Sequence, residues 1–101
     1  MDNFEVNAEW VEITDLDSLI QSSHNRLMVY NKNNKSLYSG FSEWCDVDGS
    51  MVLLCVTNIE DQNDIIEGLP IDQNVIDEFR WFTFKYSVPE FDPEKFGLEL
   101  N

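Results

Sequence analysis

Apolar and polar residues alternate along residues 4–10, and a period of two predicts a half-buried strand. Phe4, Ala8 and Val11 would also share one face of a helix, so the pattern leaves a helix open there. Residues 79–88 are aromatic and β-branched, which predicts a second strand. One of its faces would carry Phe79, Trp81 and Thr83. The other, more apolar face is expected to point to the core and would carry Arg80, Phe82, Phe84, Tyr86 and Val88.

Two hairpins are predicted between these strands. Residues 27–30 and 36–44 are the arms of the first, and the asparagine-rich stretch between them supplies the turn because Asn tolerates the left-handed region. Asp48 and Gly49 are a strong signal for a second, tight turn. Residues 51–57 are an uninterrupted apolar run, which is typical of a central strand.

Two short helices are expected as well. Thr14 has the position of an N-cap for a helix over residues 15–22. Thr57 and Glu60 have the spacing of a capping box, which predicts a helix over residues 58–68. Its core-facing stripe would consist of Ile65, Ile66 and Leu69, and Gly68 with Pro70 would end it.

Residues 71–78 are ambiguous between a turn of helix and a loop. Together the segments predict an α+β domain with a four- to five-stranded, mostly antiparallel sheet and two short helices. A chain of 101 residues suffices for one compact domain with a single core. That domain is expected over residues 1–88. Residues 89–101 contain two prolines and four acids, and they are expected to form an extended, partly mobile acidic tail.

The charge of the chain narrows the classes of partner. Twenty acids and six bases give a net charge of -14 at pH 7, well beyond the magnitude of about 2–8 that suits a small domain. Direct binding to nucleic acid or to an anionic membrane is disfavoured, because both require Lys and Arg. A basic protein is the natural partner, and its attraction should weaken with salt.

Candidate chemistry is sparse. Cys45 and Cys55 lie in apolar runs and are expected to be buried free thiols, although a disulfide stays open if their strands pair in register. His24 is the single histidine and lies in a polar stretch, which disfavours a catalytic Cys–His pair. Residues 46–50 lack the ligands of a full calcium loop, and no Cys/His cluster suits zinc. No metal site, cofactor or enzymatic activity is therefore expected.

The predicted helix over residues 58–68 carries no base. On it, carboxylates at i, i+4 and i+7 would form one stripe with Cβ separations of about 5–6 Å. Such a row could imitate phosphates toward the Arg and Lys residues of a nucleic-acid-binding protein. The alternative is a solvated face that keeps a small domain soluble. The candidate partner-binding residues are Glu60, Asp61, Asp64 and Glu67, extended by Asp72, Asp77 and Glu78.

In charge and size, though not in motif, the chain is similar to two kinds of small acidic protein. The first is the phage or mobile-element inhibitor that imitates DNA to block restriction or CRISPR machinery. The second, our alternative, is the bacterial immunity protein that neutralises a basic toxin or nuclease. Either could dimerise. A third hypothesis is a small enzyme with buried carboxylates, which would need a deep pocket and raised carboxyl pKa values. The default alternative is a structural or adaptor domain without such a role.

The N-terminal residues lack the basic and apolar regions of a secretory signal. No apolar run approaches the length of about 18 residues that a membrane-spanning helix requires. A soluble protein of the cytoplasm is therefore expected, in the host cell if a phage encodes it.

Overall fold

The computed structural model describes residues 10–22, 25–41, 44–48, 50–84 and 90–100, with backbone alone at 44–47, 50, 53 and 54. These residues form a curled antiparallel sheet of seven strands with two α-helices and one 3-10 helix. The predicted α+β class is confirmed, but the sheet has more strands than the four or five expected. The strands are β1 Val11–Ile13, β2 Arg26–Asn31, β3 Ser36–Phe41, β4 Trp44–Val47, β5 Ser50–Asn58, β6 Ile65–Pro70 and β7 Phe79–Phe84. The helices are α1 Leu16–Gln21, α2 Gln73–Glu78 and the 3-10 helix Pro93–Phe96.

The sheet runs in the order β1, β7, β2, β3, β5, and β4 follows β3 along the same side of β5. Strand β6 lies on the opposite side of β5 and pairs with no other described strand. The predicted central strand at 51–57 is therefore confirmed as β5, because it has neighbours on both sides. Strand β6 forms one edge of the sheet.

Both faces of the sheet are buried. Successive residues of a strand point to opposite faces, and in β2 Leu27 and Val29 enter one apolar cluster while Met28 and Tyr30 enter another. Both helices cover the first cluster. Leu19 of α1 and Val75 of α2 contribute to it.

Strand β7 was predicted to bury one face, but it buries both, because an apolar cluster lies on each side of the sheet. Phe82 and Phe84 are buried in the second cluster, as expected of the more apolar face. Phe79 and Trp81 are buried too, in the first cluster, so β7 has two core faces instead of one. The indole nitrogen of Trp81 donates a hydrogen bond of 2.7 Å to the carbonyl of Val75, which satisfies the polar group of a fully buried ring.

The C-terminal segment covers the second face. Its sequence predicted an extended tail, and the described residues 90–100 include a 3-10 helix that Gly97 ends with a φ of 71°. Leu98 is buried in the second cluster, against which the rings of Phe91 and Phe96 also pack. The hydroxyl of Tyr30 donates to the carbonyl of Glu99 at 2.6 Å and fastens the segment to β2.

Local hydrogen bonds explain the turns. The predicted helix at 15–22 is confirmed as α1, but Asp15 rather than Thr14 is its N-cap, with a carboxylate that accepts from the Ser18 N–H at 2.8 Å. The first predicted hairpin is confirmed as β2 and β3. Its left-handed residue is Lys35, with a φ of 59°, and not an asparagine. The asparagines supply side-chain acceptors instead, such as Asn31 toward the Asn33 N–H.

The second predicted hairpin joins β4 to β5, where residues 47 and 50 pair across a two-residue turn. Asp48 has a φ of 52°, which suits such a turn. The ambiguous residues 71–78 contain α2, which Asp72 caps. The predicted strand at 4–10 and His24 lie outside the described residues, except for Trp10.

The helix predicted over residues 58–68 is wrong. Residues 59–64 form a loop and β6 follows it. The Asn58 side chain accepts from the Glu60 N–H at 2.8 Å, and the Asp61 carboxylate accepts from the Asn63 N–H at 3.0 Å. Such local side-chain acceptors bind backbone N–H groups in turns and so compete with a helix. The apolar residues after the loop then pair with β5 as a strand.

Candidate partner-binding surface

One stretch of the chain carries negative charge without positive charge. Residues 36–79 contain ten Asp and Glu residues and no Lys, Arg or His. In the fold this base-free segment supplies β3, β4, β5, β6 and α2. The basic residues of the described part lie outside it, at Arg26, Lys32, Lys35, Arg80 and Lys95. Charge of the two signs is therefore separated in sequence, although Lys35 and Glu60 line one small pocket in the fold.

Six exposed carboxylates gather around the edge strand. They lie in the loop before β6, on β6 itself and on α2 directly after it, and we call them the acidic surface. Its members are Glu60, Asp61, Glu67, Asp72, Asp77 and Glu78. All six belong to the predicted partner-binding set. The predicted helical stripe does not exist, because the loop and an edge strand position these residues instead.

The carboxylates of the acidic surface form no ion pair with the described residues. Within the described part of the chain, the ion pairs join Lys35 to Glu99 and Arg80 to Glu12, and none includes a member of this surface. Some members accept a local hydrogen bond, as Asp72 does from the Asn74 N–H at 2.9 Å. Local bonds of this kind shape the loop and the helix start but leave the negative charge uncompensated.

Asp64, the seventh predicted residue, differs from the other six. Its Oδ2 accepts from the Tyr38 hydroxyl at 2.7 Å and from the Asn58 side-chain amide at 2.9 Å. These two bonds, that from Asn58 first, hold the pKa of the Asp64 carboxyl below its usual value. Burial raises the pKa of the Tyr38 phenol, and its bond to Asp64 adds to that rise. Asp64 therefore fastens the loop to β3 and β5.

The opposite edge of the sheet uses charge differently. Arg80 of β7 donates from Nε and Nη2 to the two carboxylate oxygens of Glu12 on β1, both at 2.9 Å. Its Nη1 donates to the carbonyl of Phe96 at 3.0 Å, and its guanidinium carbon lies 5.5 Å from the ring centroid of Phe82. The hydrogen-bonded guanidinium lowers the pKa of the Glu12 carboxyl. This ion pair is half-buried and joins β1, β7 and the C-terminal segment.

Two apolar side chains lie exposed within the acidic surface. Ile59 is 52% exposed in the loop, and Ile65 is 42% exposed at the start of β6. The predicted position of Ile65 on the core-facing stripe of a helix is wrong, because Ile65 lies at the exposed start of an edge strand. The signal that was available is the short Ile65–Ile66 pair, because β-branched residues favour strands.

The tryptophans and cysteines also bear on a binding role. Trp10 and Trp81 are buried, so they belong to the core and not to an exposed anchor. The expectation that both cysteines are buried is wrong for Cys55, whose thiol is exposed and free. The strand register places Cys45 opposite Val52 and Cys55 opposite Glu67, so the two cysteines do not face each other.

Two searches for other kinds of site were negative. Among the described residues, no three His, Cys, Asp or Glu side chains converge as metal ligands. No described helix has the length and apolar character to cross a membrane. Comparison of the chain with protein-family models, with curated proteins and with solved structures found no match.

Proposed function

We propose that this protein is a non-enzymatic inhibitor that binds a basic nucleic-acid-handling protein through its acidic surface. Components of restriction or CRISPR systems are the class of partner we expect. The observation that carries the proposal is the base-free segment, ten acids without one base over 44 residues. A domain selected for stability alone would gain from interspersed Lys or Arg, because like charges repel within a compact fold.

The acidic surface extends along the chain on both sides of the edge strand. Strand β6 has six residues, and a rise of about 3.3 Å per residue makes it roughly 20 Å long. Glu67 lies on β6, two carboxylates lie in the loop before it, and three lie at the ends of α2 after it. The negative charge is therefore spread over an extended surface, as the phosphate charge of nucleic acid is.

A competition experiment tests this proposal. Tagged protein would capture its partner from bacterial lysate at low salt, and the purified partner would then be assayed for DNA binding or cleavage with increasing inhibitor. We expect inhibition that duplex DNA relieves and that weakens as salt rises, because exposed charge pairs are screened. Failure to capture a DNA-handling protein, or binding that neither salt nor DNA affects, would show that the proposal is wrong.

Matched charge variants separate this surface from net charge. The test variant replaces Glu60, Asp61, Glu67 and Glu78 with Gln or Asn, and the control variant does the same at Asp17, Glu90, Asp92 and Glu94. Both variants change the net charge from -14 to -10. We expect the test variant to bind its partner about fourfold to a thousandfold more weakly, since each of the four exposed pairs contributes about 0.2–1 kcal/mol. Equal losses in the two variants would assign the effect to net charge alone.

The exposed isoleucines favour a second candidate. An immunity protein that neutralises one basic toxin would combine charge with apolar anchors at its interface, as tight interfaces do. Ile59, next to Glu60 in the loop, and Ile65 at the start of β6 are exposed and would serve as such anchors. Under this alternative, Ile59→Ala and Ile65→Ala would weaken binding more than the charge variant, and the complex would persist at high salt.

A further inference from the structure

A small groove lies where the edge strand passes into α2. Its volume is about 180 Å³, below the roughly 300–1,000 Å³ of sites for drug-sized ligands. It is therefore sized for a single side chain. Its apolar walls come from the end of β6 and from the buried side of α2, namely Leu69, Pro70, Val75 and Phe79, and polar groups of Asp72, Asn74 and Glu78 complete its lining.

The polar groups of the groove share one sign. Asp72 lies at the start of α2 and Glu78 at its end, so two exposed carboxylates flank a groove whose other walls are apolar except for Asn74. One oxygen of Asp72 accepts the capping bond from the Asn74 N–H, which leaves the other oxygen for a further donor. The last turn of α2 contains no basic residue, so Glu78 adds its charge to a helix end that already favours a cation.

We propose that this groove receives an arginine side chain of the protein's partner. The aliphatic stem of arginine packs on apolar surface while its guanidinium stays at a polar rim. The planar guanidinium has five donors in a fork and can serve two carboxylates at once. The charge of the groove selects this occupant. An anion is repelled by Asp72 and Glu78, and a second copy of this chain would bring its own acidic surface against them.

This inference rests on the proposed function for the charge of the partner, but the groove is testable alone. The probe is Nα-acetyl-arginine amide, titrated into the 15N-labelled protein and followed by NMR. Its neutral analogue is Nα-acetyl-citrulline amide, which has the same length and stem. We expect the arginine probe to shift the amides of Leu69, Val75, Glu78 and Phe79 with a dissociation constant on the order of 1 mM, given its few heavy atoms. The citrulline probe should leave these amides nearly unchanged.

Two conservative variants locate the interaction. Asp72→Asn keeps the capping acceptor and removes only the charge, and Glu78→Gln removes the charge at the other end of α2. Each should weaken binding of the arginine probe by about twofold to fivefold, as expected for the loss of one exposed ion pair. Asp17→Asn on α1 removes a charge away from the groove and should not change the dissociation constant by more than the effect of net charge.

The outcomes separate this inference from the proposed function. Equal binding of both probes, or arginine-dependent shifts away from these amides, would overturn the groove as an arginine site, even if a basic partner is captured. Shifts at the groove that depend on Asp72 and Glu78 would support the site, even if the captured partner proves unrelated to nucleic acid. Proper folding of each variant is verified by its amide spectrum without probe.

Discussion

The two ends of the sheet use the same chemical group in opposite ways. At the β1–β7 end, the Glu12 carboxylate is held by two hydrogen bonds from Arg80 and has a lowered pKa. At the β6–α2 end, six carboxylates lie exposed and form no ion pair with the described residues. Paired charge at the first end fastens three parts of the chain together. The carboxylates of the acidic surface connect no comparable parts of the chain. They therefore stay free to bind another molecule.

The largest expected effect is a loss of folding stability when the ion pair between Arg80 and Glu12 is removed. Arg80→Met removes three hydrogen bonds and leaves the half-buried Glu12 carboxylate without its partner. We expect the free energy of unfolding in urea to fall by about 2–4 kcal/mol. Glu12→Gln completes a double-mutant cycle. If the two single effects simply add, the ion pair does not stabilise the fold and the contrast disappears.

The next effect tests Asp64, which belongs to the base-free segment but has internal partners. Tyr38→Phe removes the hydroxyl that donates to Asp64 and keeps the buried ring. The same hydroxyl accepts from the side-chain amide of Asn34 at 3.1 Å, so two partly buried hydrogen bonds are lost. We expect the free energy of unfolding to fall by about 1–2 kcal/mol. Amide exchange should rise in residues 59–64. Tyr30→Phe is the matched control, because its hydroxyl fastens the C-terminal segment and should leave exchange in that loop unchanged.

Lowering the pH should reduce the contribution of Glu12 to the stability of the fold. The pKa of Glu12 is lower in the folded protein, so the unfolded chain binds its proton more tightly. The stability that Glu12 provides is therefore complete above the ordinary carboxyl pKa of about 4.3 and is lost as pH falls through the lower folded value. We expect Glu12→Gln to be less stable than wild type at pH 7 and to lose less stability between pH 5 and pH 3. Parallel pH profiles of the two proteins in urea titrations would contradict this account.

The smallest expected effect concerns the unpaired end. Glu67→Lys places a cation on β6 among the carboxylates of the acidic surface. We expect unfolding to cost a few tenths of a kcal/mol more, because local repulsion is relieved, while affinity for the partner falls. Glu67→Gln should give about half of each change. A Lys variant that is less stable than wild type would mean that Glu67 supports the fold.

The sequence predicted those elements whose causes are local. The α1 helix, the two hairpins and strand β5 follow from caps, turn residues and an apolar run within a few positions of each other. Strand β6 was missed because Ile65, Ile66 and Leu69 fit a helical stripe as well as a strand, and because the spacing of Thr57 and Glu60 suggested a capping box. The side chains of Asn58 and Asp61 instead accept hydrogen bonds within turns. These residues form turns and a strand because the strand pairs with β5. A short stretch of sequence does not reveal that pairing.

The candidate site, too, was predictable only where its features depend on local sequence. That the acidic residues are exposed follows from their chemistry, and six of the seven predicted residues are exposed. Which of them are held internally depends on residues distant in sequence. Tyr38 lies 26 positions from Asp64, and Arg80 lies 68 positions from Glu12. The burial of both faces of β7 also depends on the C-terminal segment folding back across the sheet, as Leu98 does.

Strand β6 has a consequence for how copies of this protein behave in concentrated solution. An edge strand presents a row of backbone donors and acceptors that can pair with the edge of another molecule, and proteins often guard such edges with charge. Here Glu67 and its acidic neighbours guard the edge by repulsion between identical molecules. A variant with amides in place of these carboxylates would keep the edge strand and lose the repulsion between its copies. Such a variant would be prone to pair edge to edge with other molecules of its own kind.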